Sequence, residues 1–227
     1  MIQQCLSNAL KKESIDKSVV ALITQVLVDE EDPSFKKPTK PIGPFYEDKD
    51  LDELEKEGFK VKKYKEGWRI VVPSPDPKKI VEGDTIKKLL DDDIVVIASG
   101  GGGMPVIEKE GWGLDGLEAV IDKDLASERL AEQIDAKVFL ILTNVEKVFL
   151  NYGEPNQKAL DNVKLSDIKK YYEKGQFPEG SMGPKILSAI RFLESGGKKV
   201  IISHVDKGYD AFIGKTGTHI SLSLIHI

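Results

Sequence analysis

The stretch DDDIVVIASGGGGMP, residues 91–105, decides the fold. A short apolar strand, Ile94 to Ala98, runs straight into four consecutive glycines, Gly100 to Gly103. Glycine has no Cβ, so such a loop takes positive φ angles and lets a ligand come close to its backbone N–H groups. In an open α/β sheet, ligands sit where the carboxyl ends of strands open into loops of this kind. Anionic substrates are therefore the first class to consider. The glycines alone leave open a second reading, a turn that binds nothing.

Outward from this loop, strands and helices alternate. Ile2 to Leu10 reads as a short helix, and the apolar run Val19 to Val28 as one buried strand. Four prolines between Pro33 and Pro44 predict an extended, stiffened excursion with neither regular helix nor central strand. Leu51 to Gly58 is a charged helix closed by glycine, and Lys60–Tyr64 with Trp68–Val72 a short β pair. Helices follow at Asp84–Leu90, Leu125–Ile134, Ser166–Lys174 and Pro184–Ser195, with Ser166 as the cap of the third. Strands follow at Lys137–Thr143 and Lys199–Ser203. The alternation predicts an α/β fold, a mainly parallel sheet with helices on both faces. The 33–73 region interrupts the rhythm and reads as a projecting subdomain.

The 227 residues are 40% hydrophobic and 31% charged, a globular composition, and the net charge of −5 argues against a broad nucleic-acid surface. One cysteine excludes an intrachain disulfide, and one cysteine with three histidines gives a zinc site poor support. No apolar run approaches the ~18 residues of a membrane span. The N-terminus lacks a secretory core, so a cytoplasmic enzyme without nucleic-acid or membrane partners is expected.

Four segments carry candidate chemistry. In PTKPIGPFY, Lys40 stands between Pro38 and Pro41, which stiffen its backbone; a solvated surface lysine is the alternative. The glycine loop adds Ser99. In VIDKD, Lys123 lies between two carboxylates, either a salt-bridged turn or an ammonium positioned for phosphate. In GSMGPK, Lys185 sits in the first turn of a helix, where a cation opposes the dipole unless an anion is bound. Lysines, glycine loops and an acid suit phosphoryl transfer, which needs charge neutralisation and in-line placement. GxxxxGK[ST] is absent, and the one GxGxxG spacing, GWGLDG at residues 111–116, does not open a predicted helix as a dinucleotide site requires.

Taken in order, TQVLVDEEDPSFKKPTKPIGPFY, GWRIVVPSPDPKKIVE, GGGGMPV, GLEAVIDKDLASERLA, LILTNVEKVFLNYGEPNQKAL, GQFPEGSMGPKI and ESGGKKVII resemble the carbamate kinases, a branch of the amino acid kinase superfamily. The resemblance implies a three-layer αβα sandwich over residues 1–220. It also implies reversible transfer from ATP to carbamate, giving ADP and carbamoyl phosphate, with Mg²⁺ accompanying the nucleotide. ATP formation in arginine-type fermentation is the implied direction, and a homodimer the implied assembly of a complete chain.

By the same likeness, Lys40, Ser99, Gly100, Gly101, Gly102 and Gly103 bind the carbamoyl-side anion. Lys123 and Lys185 neutralise the transferring phosphate, and Asp124 orients them. Asn144, Val145, Val148, Tyr152, Met182, Gly183 and Pro184 line the nucleotide. Asn144 stands where the family commonly has aspartate, which keeps an acceptor and loses a charge.

Two departures from the family pattern shape the expectations. Its opening strand and GGNA-type loop have no counterpart here, so the chain reads as N-terminally truncated and, taken alone, as weakly active or inactive. Residues 221–227, SLSLIHI, read as extraneous sequence. A non-catalytic nucleotide-binding fragment and another acylphosphate-forming amino acid kinase are the alternative functions.

Overall fold

The computed structural model describes residues 1–223, in two compact units, Met1–Ala126 and a second from Ser127 onward. Most of the expected extraneous tail, residues 224–227, lies outside the described residues, whereas Ser221 closes a strand.

The first unit opens with helix α1 (Ile2–Lys12), whose last turn carries Lys11 and Lys12 where the helix dipole favours cations. The apolar run expected to be one strand is two, β1 (Val19–Ala21) and β2 (Gln25–Leu27). It breaks at Ile23, which is 80% exposed. The polar pair Thr24-Gln25 follows the break, but a short apolar run carries no mark of which sheet each half will enter, and here the halves enter different ones.

The proline-rich stretch is also more regular than expected. Helix α2 (Pro33–Lys36) starts on a proline, whose fixed φ and missing N–H suit a first helical position, and the Asp32 carboxylate accepts the Ser34 N–H at 2.8 Å. Strand β3 (Lys40–Tyr46) contains Pro41 and Pro44, helix α3 spans Leu51–Lys56, and β4 (Val61–Tyr64) and β5 (Gly67–Val72) form the expected hairpin. The strand order is β3-β5-β4, so β3 is an edge, with an irregularity between Ile42 and Tyr46. An edge strand tolerates residues that cannot donate to the ladder.

Strand β6 (Lys79–Ile80) and helix α4 (Gly83–Asp91) lead to β7 (Val95–Ile97), which pairs in parallel with β1. After the glycine loop come β8 (Met104–Lys109) and β9 (Gly113–Gly116), an unexpected hairpin that completes the sheet β6-β2-β8-β9. Val26, Ile80, Ile86, Val106 and Ile121 are buried in this unit. Helix α5 (Lys123–Gln133) begins at its end.

The second unit holds β10 (Val138–Thr143), β11 (Val148–Leu150), β12 (Lys158–Leu160), β13 (Asn162–Lys164), helix α6 (Leu165–Glu173), helix α7 (Met182–Glu194), β14 (Lys199–His204), helix α8 (Gly208–Phe212) and β15 (Thr218–Ser221). Its larger sheet runs β10-β14-β15-β13, with β10 and β14 parallel, while β11 and β12 pair antiparallel. Helix α7 buries Ile186, Ala189, Ile190 and Leu193, a helical spacing, in one cluster with Val200, Ile202 and Ile220. Each of these side chains other than Ala189 contributes roughly 1.5–3 kcal/mol by leaving water. Ser166 does not cap α6: β13 runs directly into the helix, and Lys164 occupies the cap position without a side-chain bond.

Candidate active site

The glycine loop of the first unit is held tightly on one side and open on the other. Ser99 takes φ +63°, and its N–H donates to Thr24 Oγ1 at 3.1 Å. Gly102, at φ +139°, donates its N–H to the Ser99 carbonyl at 2.6 Å. A Cβ on Gly102 would lie 2.5 Å from the Ile121 carbonyl oxygen, and one on Gly103 2.6 Å from Val26 Cγ2. Glycine is required at both places by close approach and by backbone conformation. Gly100 and Gly101 instead face open space, with nothing within 4 Å of an added Cβ. The loop is thus an ordered arc with a free outer rim. The Ser99 hydroxyl is buried without a hydrogen-bond partner among the described residues.

Ile121, which packs on Gly102, precedes the second element of this site. The buried Asp122 carboxylate accepts from Lys40 Nζ at 2.5 Å through Oδ2. Through Oδ1 it accepts the N–H groups of Asp124 at 2.9 Å and Leu125 at 3.4 Å, in the first turn of α5. Burial pushes the Asp122 carboxyl up, but the hydrogen bond and charge of Lys40, with the two amides, outweigh it and hold the group below the usual carboxylate range. Lys123 is exposed, with its Nζ 3.8 Å from Oδ2 of the buried Asp124. Lys40, Lys123 and Asp124 therefore share one neighbourhood within the first unit, joined by Asp122.

The second unit contains a cavity of about 260 Å³ at the carboxyl end of β10 and the start of α7. Its walls include Asn144, Val145, Tyr152, Met182 and Lys185 from the expected set. Phe149, Gln176, Phe177 and Pro178 are further walls that sequence reasoning missed. The Phe149 and Tyr152 rings stand 5.9 Å apart and tilted by 50°, an apolar pair suited to a planar base. The Gln176 side chain accepts the Asn151 N–H at 3.0 Å and so fixes the loop that carries Tyr152.

Three expected nucleotide residues do not line this cavity. Val148 is fully buried and donates its N–H to Thr218 Oγ1 at 2.8 Å. Gly183 is packed so that a Cβ would lie 2.9 Å from the Pro178 carbonyl, and Pro184 follows it in the first turn of α7. No acidic residue stands in that first turn, so nothing there opposes an anion drawn by the helix N-terminus. Among the described residues, no group of three or more histidine, cysteine, aspartate or glutamate side chains is arranged to hold a metal ion, and no helix is long and apolar enough to cross a membrane.

Asp122 itself was legible only as a charge flanking Lys123. Its partner Lys40 is 82 residues away, and no local pattern announces that pair. The aromatic wall at Phe149 reads in sequence as an ordinary strand residue of KVFL.

Comparison with known proteins identifies the family. Residues 12–204 match the amino acid kinase family. The carbamate kinase of Pyrococcus horikoshii is 54% identical over 223 residues, 97% of this chain and 71% of that protein. Carbamate kinase 2 of Staphylococcus aureus is 50% identical over 222 residues, covering 96% of this chain and 70% of its own length. Among solved structures, carbamate kinase from Giardia lamblia bound to AMP-PNP superposes with a TM-score of 0.85 at 39% identity, over 96% of this chain and 70% of that one. That superposition bears out the expected α/β fold. The chain belongs to the amino acid kinase family and, within it, to the carbamate kinases.

Proposed function

We propose that the chain catalyses phosphoryl transfer between carbamoyl phosphate and ADP, in the ATP-forming direction. The observation that carries this reading is the first unit's anion end: an edge-strand lysine delivered to Asp122, next to Lys123 and an open glycine rim. In the reaction, a β-phosphate oxygen of ADP attacks the phosphorus of carbamoyl phosphate. The bond from phosphorus to the carbamoyl oxygen breaks, and carbamate leaves with its electron pair, so no proton need be transferred.

Each side chain then has a defined task. Lys40 and the amides of Gly100 and Gly101 hold the carbamoyl-side anion, and Ser99 supports that loop. Lys123, kept close to the Asp124 carboxylate, faces the phosphoryl group. In the second unit, Tyr152 and Phe149 take the base, and Lys185 on the cavity wall takes the phosphates of the nucleotide. Preorganised ammonium groups of this kind lower the barrier because they need no rearrangement as charge moves. Mg²⁺ belongs to this reading as the companion of the nucleotide. When bound with the nucleotide it would neutralise phosphate oxygens; among the described residues no cluster of carboxylates is set out to hold it alone.

The test is ATP formation from ADP and carbamoyl phosphate with Mg²⁺, against acetyl phosphate as the competing donor. Turnover with carbamoyl phosphate well above that with acetyl phosphate is expected, and equal use of both would overturn the assignment. A different acylphosphate-forming kinase is not favoured, because the relatives at 45–54% identity are named carbamate kinases. A cytoplasmic location, and a homodimer for a complete chain, finish the reading; sedimentation of such a chain at micromolar concentration should give twice its monomer mass.

A further inference from the structure

Asp122 is buried, yet its two carboxylate oxygens serve different parts of the first unit. Oδ2 takes the ammonium of Lys40, the first residue of β3, at 2.5 Å. Oδ1 accepts the amides of Asp124 and Leu125 in the first turn of α5. Its neighbour Ile121 presents a backbone carbonyl to Gly102. One residue thus ties the start of β3 to the start of α5 and adjoins the glycine loop.

We propose that Asp122 is a positioning residue, which fixes the Lys40 ammonium so that arriving carbamoyl phosphate meets Lys40 on its carbamoyl side and Lys123 on its phosphoryl side, both already placed. The proposal rests on the phosphoryl-transfer reading above. A lysine has a long flexible stem, and the ion pair removes that freedom before substrate arrives. Asp122 does not attract the anion: its own charge makes the anion end less positive. Positioning and attraction therefore predict opposite effects on substrate affinity when the charge is removed. A third role, capping α5, is separable as well, because asparagine caps a helix about as well as aspartate.

The decisive variant is Asp122→Asn in the full chain. Thermal unfolding and ADP affinity should stay close to wild type, since the cap is kept and the nucleotide cavity is in the other unit. Turnover should fall roughly tenfold or more, the scale of a small misplacement of a reacting group, while KM for carbamoyl phosphate does not rise. In a Lys40→Ala background the same substitution should change turnover by less than about twofold, because two residues acting as a unit are not additive. Unchanged turnover in Asp122→Asn, or an equal further loss in the Lys40→Ala background, would overturn the proposal.

A readout free of turnover is the rate of Lys40 acetylation by a water-soluble anhydride, followed by mass spectrometry. It should rise severalfold in Asp122→Asn, and equal rates would show that the carboxylate does not hold the amine. If wild type makes no ATP, the phosphoryl-transfer reading fails, while the acetylation rates still decide whether Asp122 anchors Lys40.

Discussion

Gly102 lies so close to Ile121 that a Cβ on the glycine would stand 2.5 Å from the isoleucine carbonyl oxygen. That contact sets the glycine loop against the segment that carries Asp122 and Lys123. Two glycines next to each other in sequence consequently play different parts.

Gly102→Ala meets both a backbone carbonyl and a φ of +139°, and should destabilise the chain by about 1–3 kcal/mol, as overpacking does. Gly101→Ala meets nothing within 4 Å and should leave stability within about 0.5 kcal/mol of wild type. It should nevertheless raise KM for carbamoyl phosphate roughly tenfold by crowding the rim on which the anion is proposed to sit. Urea unfolding and steady-state kinetics on both variants check this. A Gly101→Ala enzyme with native KM would remove the rim from the substrate site.

The nucleotide cavity can be probed by itself. Tyr152 is 63% exposed and tilted against Phe149, so its ring is available to a base rather than committed to the core. Tyr152→Ala should weaken ADP roughly tenfold, within the ~1–3 kcal/mol that base stacking on an aromatic contributes. Lys185→Ala should weaken ADP while leaving adenosine binding as it was. Calorimetry with the two ligands distinguishes these outcomes. Equal losses for ADP and adenosine in Lys185→Ala would mean that the lysine shapes the pocket instead of meeting phosphate.

His219 gives a pH signature in the second unit. Its Nε2 lies 2.8 Å from the Thr216 carbonyl, which assigns that nitrogen as the protonated one, and Nδ1 is buried without a partner among the described residues. Burial foremost, aided by the Lys199 charge, holds its pKa below the ordinary 6.5 despite the Thr216 carbonyl and Asp161. The unfolded chain therefore binds this proton more readily. The stability it contributes is complete above about pH 6.5 and is lost as pH falls from there through the folded value. Urea midpoints measured downward from about pH 7.5 should show the decline, and His219→Gln should flatten it. An identical slope in the variant would assign the acid sensitivity to other groups.

Much of this was legible from local pattern. Helix α7 announced itself through Ile186, Ile190 and Leu193, and the hairpin of β4 and β5 through its turn at Glu66-Gly67. What local pattern does not carry is partnership. Val19 to Val28 is apolar apart from Thr24 and Gln25, and nothing in it says that Val19–Ala21 pairs with Val95–Ile97 while Gln25–Leu27 pairs with Met104–Val106. Pro41 and Pro44 argued against a central strand, and β3 is an edge. The candidate site divides the same way. Lys40, Lys123 and Lys185 stand out by their neighbours in sequence, whereas Asp122 matters through a side chain 82 residues away.

The order β3-β5-β4 has a consequence for how this protein behaves at high concentration. A three-stranded sheet has two free margins, and an unguarded margin recruits strands from other chains. Here two of the seven residues of β3, Pro41 and Pro44, have no amide hydrogen to offer a newcomer. On the opposite margin β4 exposes Lys62 and Lys63, whose like charges repel a second copy of itself. The strand that places Lys40 is therefore also one that other chains cannot readily extend.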